Sequence, residues 1–185
     1  MEILGEVLEM DKKAVAIVGS RFATTKGLKT AYDFAYYLAA NGITIVSGLA
    51  YGIDTIAHKA ALDANGRTIA VLGSGVDVIY PPENKELAQK IIKSGAVVSN
   101  FPNGTKPIGK NFLERNRLIA SLSKAVLVVE GKARSGTLST AAAAGSLGIE
   151  VFAIAGSEAT DWLIAEGVTA VASPKDVLEY INNNF

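Results

Sequence analysis

AVLVVEGKARSGTLSTAAAAGSLGIEVFAIA, residues 125–155, decides the fold of this chain. It opens on an unbroken apolar run, AVLVV, passes through a loop of glycine, hydroxyl and basic residues, and continues as a helical pattern over 137–147. A second apolar run, EVFAIA at 150–155, closes it. Strands that are apolar throughout, rather than at alternate positions, are buried on both faces, as in parallel sheets sandwiched by helices. Working outward, similar runs stand at AVAIV (14–18), ITIVS (43–47), TIAVL (68–72) and AVVS (96–99). Helical patterns separate them near 26–40, 53–64, 83–93 and 112–122, and two more follow at 160–166 and from Pro174. The alternation predicts an α/β fold with a doubly wound, mainly parallel, Rossmann-like sheet in three layers, residues 1–185 forming one domain. The AAAA at 141–144 reads as a closely packed helix face.

Composition narrows the function classes. With no cysteine among 185 residues there is no disulfide framework and no thiolate metal site, which suits a reducing cytoplasm. The start, MEILGEVLEMDKK, lacks the basic n-region of a secretory signal. No apolar run approaches the roughly 20 residues a membrane helix needs. Net charge is zero but unevenly spread. Residues 1–11 carry −4, residues 12–135 carry 17 bases against 8 acids, and residues 136–185 carry −5. A basic middle flanked by acidic ends points to an anionic partner.

In a doubly wound sheet, ligands bind beyond the carboxyl ends of the strands, where strand order reverses. The segments at those ends are GSRFATTKG (19–27), SGLAYGID (47–54), GSGVDVIYPPENKE (73–86), NFPNGTKPIGKNF (100–112) and EGKARSGT (130–137). Gly19, Ser20, Ser47, Gly48, Gly52, Gly73, Ser74, Gly75, Ser135, Gly136 and Thr137 let backbone approach a ligand and open helix N-termini toward it. Five such loops predict an anion site, with phosphate the best fit. NFLERNRLIASLS (111–123) adds Arg115 and Arg117 around Asn116 in the first turns of a helix. Two positions apart, these arginines point about 200° from each other, so one faces a ligand while the other pairs internally.

Other motifs are weaker. GSGVD lacks the third glycine of a dinucleotide fingerprint, and no P-loop is present, which demotes nicotinamide and ATPase chemistry. His58, the sole histidine, reads as a packing residue, and Asp54 as an acid complementing its helix dipole or meeting a sugar hydroxyl. No cluster has metal-ligand spacing, and no cofactor or metal is expected.

Taken in order, GSR (19–21), SGLAYGIDTIAHKAAL (47–62), TIAVLGSGVDVIYPPENKELA (68–88), NFLERNRLIASLSKAVLVVEG (111–131) and SGTLSTA (135–141) resemble the central domain of the DNA-processing protein A (DprA, or Smf) family. The resemblance implies an extended Rossmann-like domain that binds single-stranded DNA and helps load a RecA-type recombinase, notably in natural transformation, commonly as a homodimer. It also implies that Arg21, Lys110, Phe112, Arg115 and Arg117 line a DNA groove, with Phe112 stacking on a base or anchoring the core. Arginine suits this because its planar fork grips phosphate oxygens in pairs. The family usually adds an amino-terminal helical module and often a carboxy-terminal winged-helix-like one. A chain of 185 residues has room for neither, so it reads as a minimal or divergent member. Ala155 replaces a usual proline, Asp161 an asparagine, and Tyr51 a frequent basic residue.

The expected function is therefore sequence-independent binding of single-stranded DNA in the cytoplasm, without catalysis. The alternative is a nucleotide sensor, or an enzyme like the phosphoribohydrolases of the same broad superfamily. Those enzymes use P-G-G-x-G-T-x-x-E, which is absent here, leaving Glu130 as the best candidate acid.

Overall fold

In the computed structural model, which describes every residue except Arg134, the apolar runs form the inner strands of an eight-stranded sheet. In chain order the strands are β1 (Glu2–Gly5), β2 (Ala14–Val18), β3 (Thr44–Ser47), β4 (Thr68–Val71), β5 (Ala96–Ser99), β6 (Ala125–Val128), β7 (Glu150–Ala153) and β8 (Thr169–Ala170). The helices are α1 (Thr25–Ala40), α2 (Ile53–Asp63), α3 (Lys85–Ser94), α4 (Gly109–Ser121), α5 (Gly136–Ser146), α6 (Glu158–Ala165) and α7 (Pro174–Asn184). The spatial order is β1-β5-β4-β3-β2-β6-β7-β8, parallel throughout except for β1, which runs antiparallel to β5. From β2 the chain winds outward through β3, β4 and β5, then returns to place β6 on the other side of β2. The strand order therefore reverses between β2 and β6, and the ligand crevice is expected above that pair.

The three layers follow from which way alternate residues of one strand point. Val15 and Ile17 of β2 pack with Phe34 and Leu38 of α1, Ile53 and Ala57 of α2, and Ile181 of α7. Ala14, Ala16 and Val18 face the other way, against Ile119 and Ala120 of α4, Ala141 and Ala144 of α5, and Leu163 of α6. Burying a side chain such as Ile17 or Leu38 contributes about 1.5–3 kcal/mol. Of the AAAA run, Ala141 and Ala144 are buried and Ala142 is exposed, so half of it forms the packed face expected.

Two strands were not legible. β1 comes from the acidic start of the chain and is exposed at all four positions, yet it pairs Glu2 through Gly5 with Ser99 through Ala96. A clamp holds the turn that follows it. Arg67 spans both carboxylate oxygens of Asp11, at 2.9 and 2.8 Å, and also donates to the carbonyls of Glu6 (2.7 Å) and Ser94 (3.2 Å). Burial alone would raise the Asp11 carboxyl. Hydrogen bonds from Arg67, Leu8 N–H and the Thr44 hydroxyl outweigh it and hold the pKa below the usual carboxylate value. β8 is only two residues long and too short to leave a pattern. Among the described residues no helix is long and apolar enough to cross a membrane.

Candidate anion-binding site

A cavity of about 580 Å³ opens above the β2–β6 junction. The loop after β2 supplies Gly19, Ser20, Arg21 and Phe22; the loop after β3 and the start of α2 supply Ala50 and Asp54. Helix α4 supplies Gly109, Phe112, Leu113, Arg115 and Asn116, and the segment leading into α5 supplies Lys132, Ser135, Gly136 and Thr137. Of the residues expected from the sequence, Gly19, Ser20, Arg21, Phe112, Arg115, Asn116, Ser135, Gly136 and Thr137 thus meet in one place.

The arginine pair of α4 divides as its spacing requires. Arg115 is only 5% exposed and sets Nη1 3.6 Å from Oδ2 of Asp54, itself buried; Arg117 lies on the exposed side of the helix, outside the cavity. Asp54 also accepts from the backbone N–H of Gly48 (3.2 Å) and Ala50 (3.4 Å). Asp54 lies in the first turn of α2, as the sequence indicated, and is in addition the counterion of Arg115. Burial pushes the Asp54 carboxyl up, and Arg115 and the N–H donors pull it back. Burial lowers the guanidinium pKa, Asp54 opposes this, and an arginine has ample range to stay charged. Arg115 Nε is buried and has no hydrogen-bond partner among the described residues. An unsatisfied donor of this kind on a cavity wall is costly unless something anionic meets it.

The N-terminus of α5 is open in the same way. Ser135 occupies the cap position without a side-chain capping bond, and its buried Oγ is also unpartnered among the described residues. The helix start presents backbone N–H groups and the positive dipole end, the combination that binds phosphate at helix N-termini. Asn116 locks α4 to α5, donating to the carbonyl of Gly136 (3.1 Å) and to Ser139 Oγ (2.6 Å), so it is a strut of the wall.

Phe112 is half-buried and already engaged. The Arg21 guanidinium lies 5.2 Å and that of Arg115 5.5 Å from its ring centroid, and Tyr80 leans on it at 6.1 Å. Its ring orients two cations, as cation–π attraction allows. The Glu130 carboxylate, the candidate acid, accepts from Thr24 N–H (2.9 Å) and Thr24 Oγ1 (2.6 Å), fastening the start of α1 to the end of β6. His58 is fully buried, and burial with Arg115 nearby takes its pKa down to about 3. Thr68 Oγ1 donates to the Ile45 carbonyl, so at 2.6 Å it accepts from His58 Nδ1, which fixes the neutral tautomer.

The remaining expected positions do not line the cavity. Ser47 Oγ is buried against the Ile17 carbonyl, and Ser74 Oγ against that of Val78. Gly48 is needed for closeness: a Cβ there would lie 1.2 Å from Arg115 Nη1. Gly52, at φ +72°, lets the second loop lie on the first, where a Cβ would come within 2.2 Å of the Ser20 carbonyl. Gly73 backs the Phe112 ring and Gly75 packs on Pro102 and Asn103, so the loop after β4 supports the site from behind. Lys110 is exposed in the first turn of α4, beyond the cavity. Sequence reasoning missed Lys132 and the Asp54–Arg115 pair. The pair joins positions 61 residues apart, and Asp54 carries no local sign of it.

The comparisons with known proteins agree with this architecture. The family model for DNA recombination-mediator protein A matches residues 2–182. Protein Smf of Escherichia coli is 46% identical over 182 residues, covering 95% of this chain and 49% of that protein, so the chain spans about half the length of that relative. The X-ray structure of DNA processing protein A from Streptococcus pneumoniae matches with a TM-score of 0.90 at 43% identity, over 96% of this chain and 64% of that one. That of Helicobacter pylori, described for its single-stranded DNA binding mode, matches with a TM-score of 0.90 at 29% identity, over 99% and 86%. The chain belongs to the DNA recombination-mediator protein A family.

Proposed function

We propose that the chain binds single-stranded DNA without a base code, holding phosphates in the cavity above β2 and β6. The observation that carries this is that Arg115, with an unpartnered Nε, and Ser135, with an unpartnered Oγ at the cap position of α5, line the same cavity. Arg21 and Lys132 stand at its opening. Lys110 and Arg117, exposed on α4, extend the cationic track beyond the cavity. Family membership and the binding mode described for the Helicobacter pylori relative support the same reading. Of the cavity's polar side chains, Asn116 is engaged by Gly136 and Ser139 and Asp54 is paired with Arg115, so in this reading affinity comes from phosphate and stacking contacts. Within the family setting, the bound strand would be handed to a RecA-type recombinase in the cytoplasm, the protein acting as a homodimer.

No turnover of DNA, ATP or nucleoside monophosphates is part of this reading, since Glu130 is engaged by Thr24, whose hydroxyl also caps α1, and the hydroxyl beside His58, that of Thr68, is fully buried with it. Fluorescence anisotropy of an oligo-dT strand against the matching duplex tests it: the strand binds more tightly, and equal competition by duplex refutes the groove. A cavity of about 580 Å³ is also nucleotide-sized. Free nucleotides binding more tightly than the strand would make the site a nucleotide sensor. Release of adenine from AMP, abolished in Glu130→Gln, would make it a hydrolase.

A further inference from the structure

Phe22 is 89% exposed, the most exposed of the large apolar side chains, and follows Arg21 directly. It stands on the rim shared by the 580 Å³ cavity and a second one of about 260 Å³ above β6 and β7, and Lys132 lines both with it. The loop carrying it is fastened on both sides. Ser20 N–H donates to the Glu130 carbonyl (2.8 Å), Thr24 is held by the Glu130 carboxylate, and Phe22 N–H donates to Ser20 Oγ (3.1 Å). Thr24 Oγ1 in turn caps α1 by accepting from Gly27 N–H (3.0 Å). An aromatic ring is thus held in solvent by a fixed backbone, between cations. Phe112, the ring expected to stack, has its surroundings taken by Arg21, Arg115 and Tyr80.

We propose that Phe22 is the stacking platform for one nucleobase of the strand whose phosphates occupy the adjoining cavity. The proposal rests on the reading of that cavity as a single-strand site. The occupant is a base because the ring is bordered by Arg21 and Lys132, which favour a polyanion, and a base is the apolar face that a polyanionic strand offers. Exposed Leu113 (61%) lines the same cavity and offers further apolar surface to the sugar and base edge. Stacking is indifferent to base identity, so the subsite adds affinity without adding a code.

The test uses oligo-dT carrying a single 2-aminopurine, read by anisotropy and by base fluorescence over a series of salt concentrations. Phe22→Ala, Phe22→Leu and Phe22→Tyr are compared with the wild type; at this exposure none should disturb folding. Wild type and Phe22→Tyr quench the probe and bind alike. Phe22→Ala and Phe22→Leu lose the quenching and weaken binding by about 5- to 150-fold, the range for one aromatic–base stack. The slope of log K against log salt stays at its wild-type value, because no phosphate contact is lost. Wild-type affinity in Phe22→Ala, or a leucine that serves as well as the aromatic, overturns the stacking role and leaves the single-strand reading intact. A wild-type protein that binds no strand overturns that reading itself. Loss of self-association in Phe22→Ala, with strand affinity unchanged, reassigns the ring to a contact between copies and overturns the proposal.

Discussion

Replacing Arg115 by methionine separates a cation buried for architecture from one displayed for ligand. The side chain is 5% exposed, its Nη1 is 3.6 Å from Asp54 Oδ2, and the carboxylate is buried with it. In Arg115→Met the Asp54 charge remains in the interior with the Gly48 and Ala50 N–H groups and the Ser47 hydroxyl for company, and no cation paired with it. Removing one partner of a buried pair costs about 3–5 kcal/mol. At about 2–4 °C per kcal/mol for a domain of this size, the melting temperature should fall by roughly 6–20 °C at pH 7. The loss should depend on pH in a definite direction. Without Arg115, burial raises the folded-state pKa of Asp54 above its unfolded value, so the folded form binds the proton more tightly. Lowering the pH from 7 toward 5 should then recover part of the lost stability. A second change, Asp54→Asn, should recover part of it at every pH, since the stranded charge is gone. Thermal unfolding followed by circular dichroism at pH 5, 6 and 7 reads all of this. An Arg115→Met protein that melts with the wild type at pH 7 would refute the buried-pair assignment.

The exposed cations should behave in the opposite way. In Arg21→Ala the melting temperature should stay near wild type, while the salt slope for oligo-dT flattens by about 0.7, the loss of one phosphate contact. The same measurement on Lys110→Ala and Arg117→Ala decides how far the track runs along α4, and a wild-type slope removes that residue from it. Gly48→Ala should destabilise the fold by at least the ~3 kcal/mol of a broken buried pair, because its Cβ would sit 1.2 Å from Arg115 Nη1. If that mechanism holds, Gly48→Ala with Arg115→Met costs no more than the larger single change, and simple additivity contradicts it. Asp11, whose pKa is depressed from 3.8, lends stability that is complete above that value and lost as pH falls through the folded pKa. Asp11→Asn should therefore lower the melting temperature at pH 7, and its gap to the wild type should narrow as pH falls below the ordinary carboxylate value; a gap that does not narrow under acid would show the Arg67 clamp to be uncharged in origin.

What the sequence disclosed and what it hid differ by the range of the interaction involved. The six inner strands were visible because each is a continuous apolar run, and their ends shifted by one or two residues at most, as for ITIVS, where β3 begins at Thr44. β1 was invisible because its evidence is a partner: Glu2 to Gly5 are exposed and become a strand through pairing with β5 and the Arg67 clamp on Asp11. The candidate site divides along the same line. Glycines and hydroxyls after strands marked the crevice, yet could not tell a loop that meets a ligand from one that braces its neighbour. Gly48 and Gly52 are glycines because Arg115 and the Ser20 carbonyl press on them, whereas Gly136 opens a helix toward the cavity. Helical spacing did establish that Arg115 and Arg117 face opposite ways; which of them is buried depended on Asp54, placed by a different loop. The burial of that pair in turn explains how Arg115 can keep an unpaired Nε on the cavity wall. Asp54 compensates the charge from 3.6 Å away, and Asn116 fixes α4 against α5. The guanidinium is thereby held in a fixed place in the lining of the cavity that the start of α5 also lines. Preorganisation of this kind spares the conformational entropy that a flexible surface lysine would lose on binding.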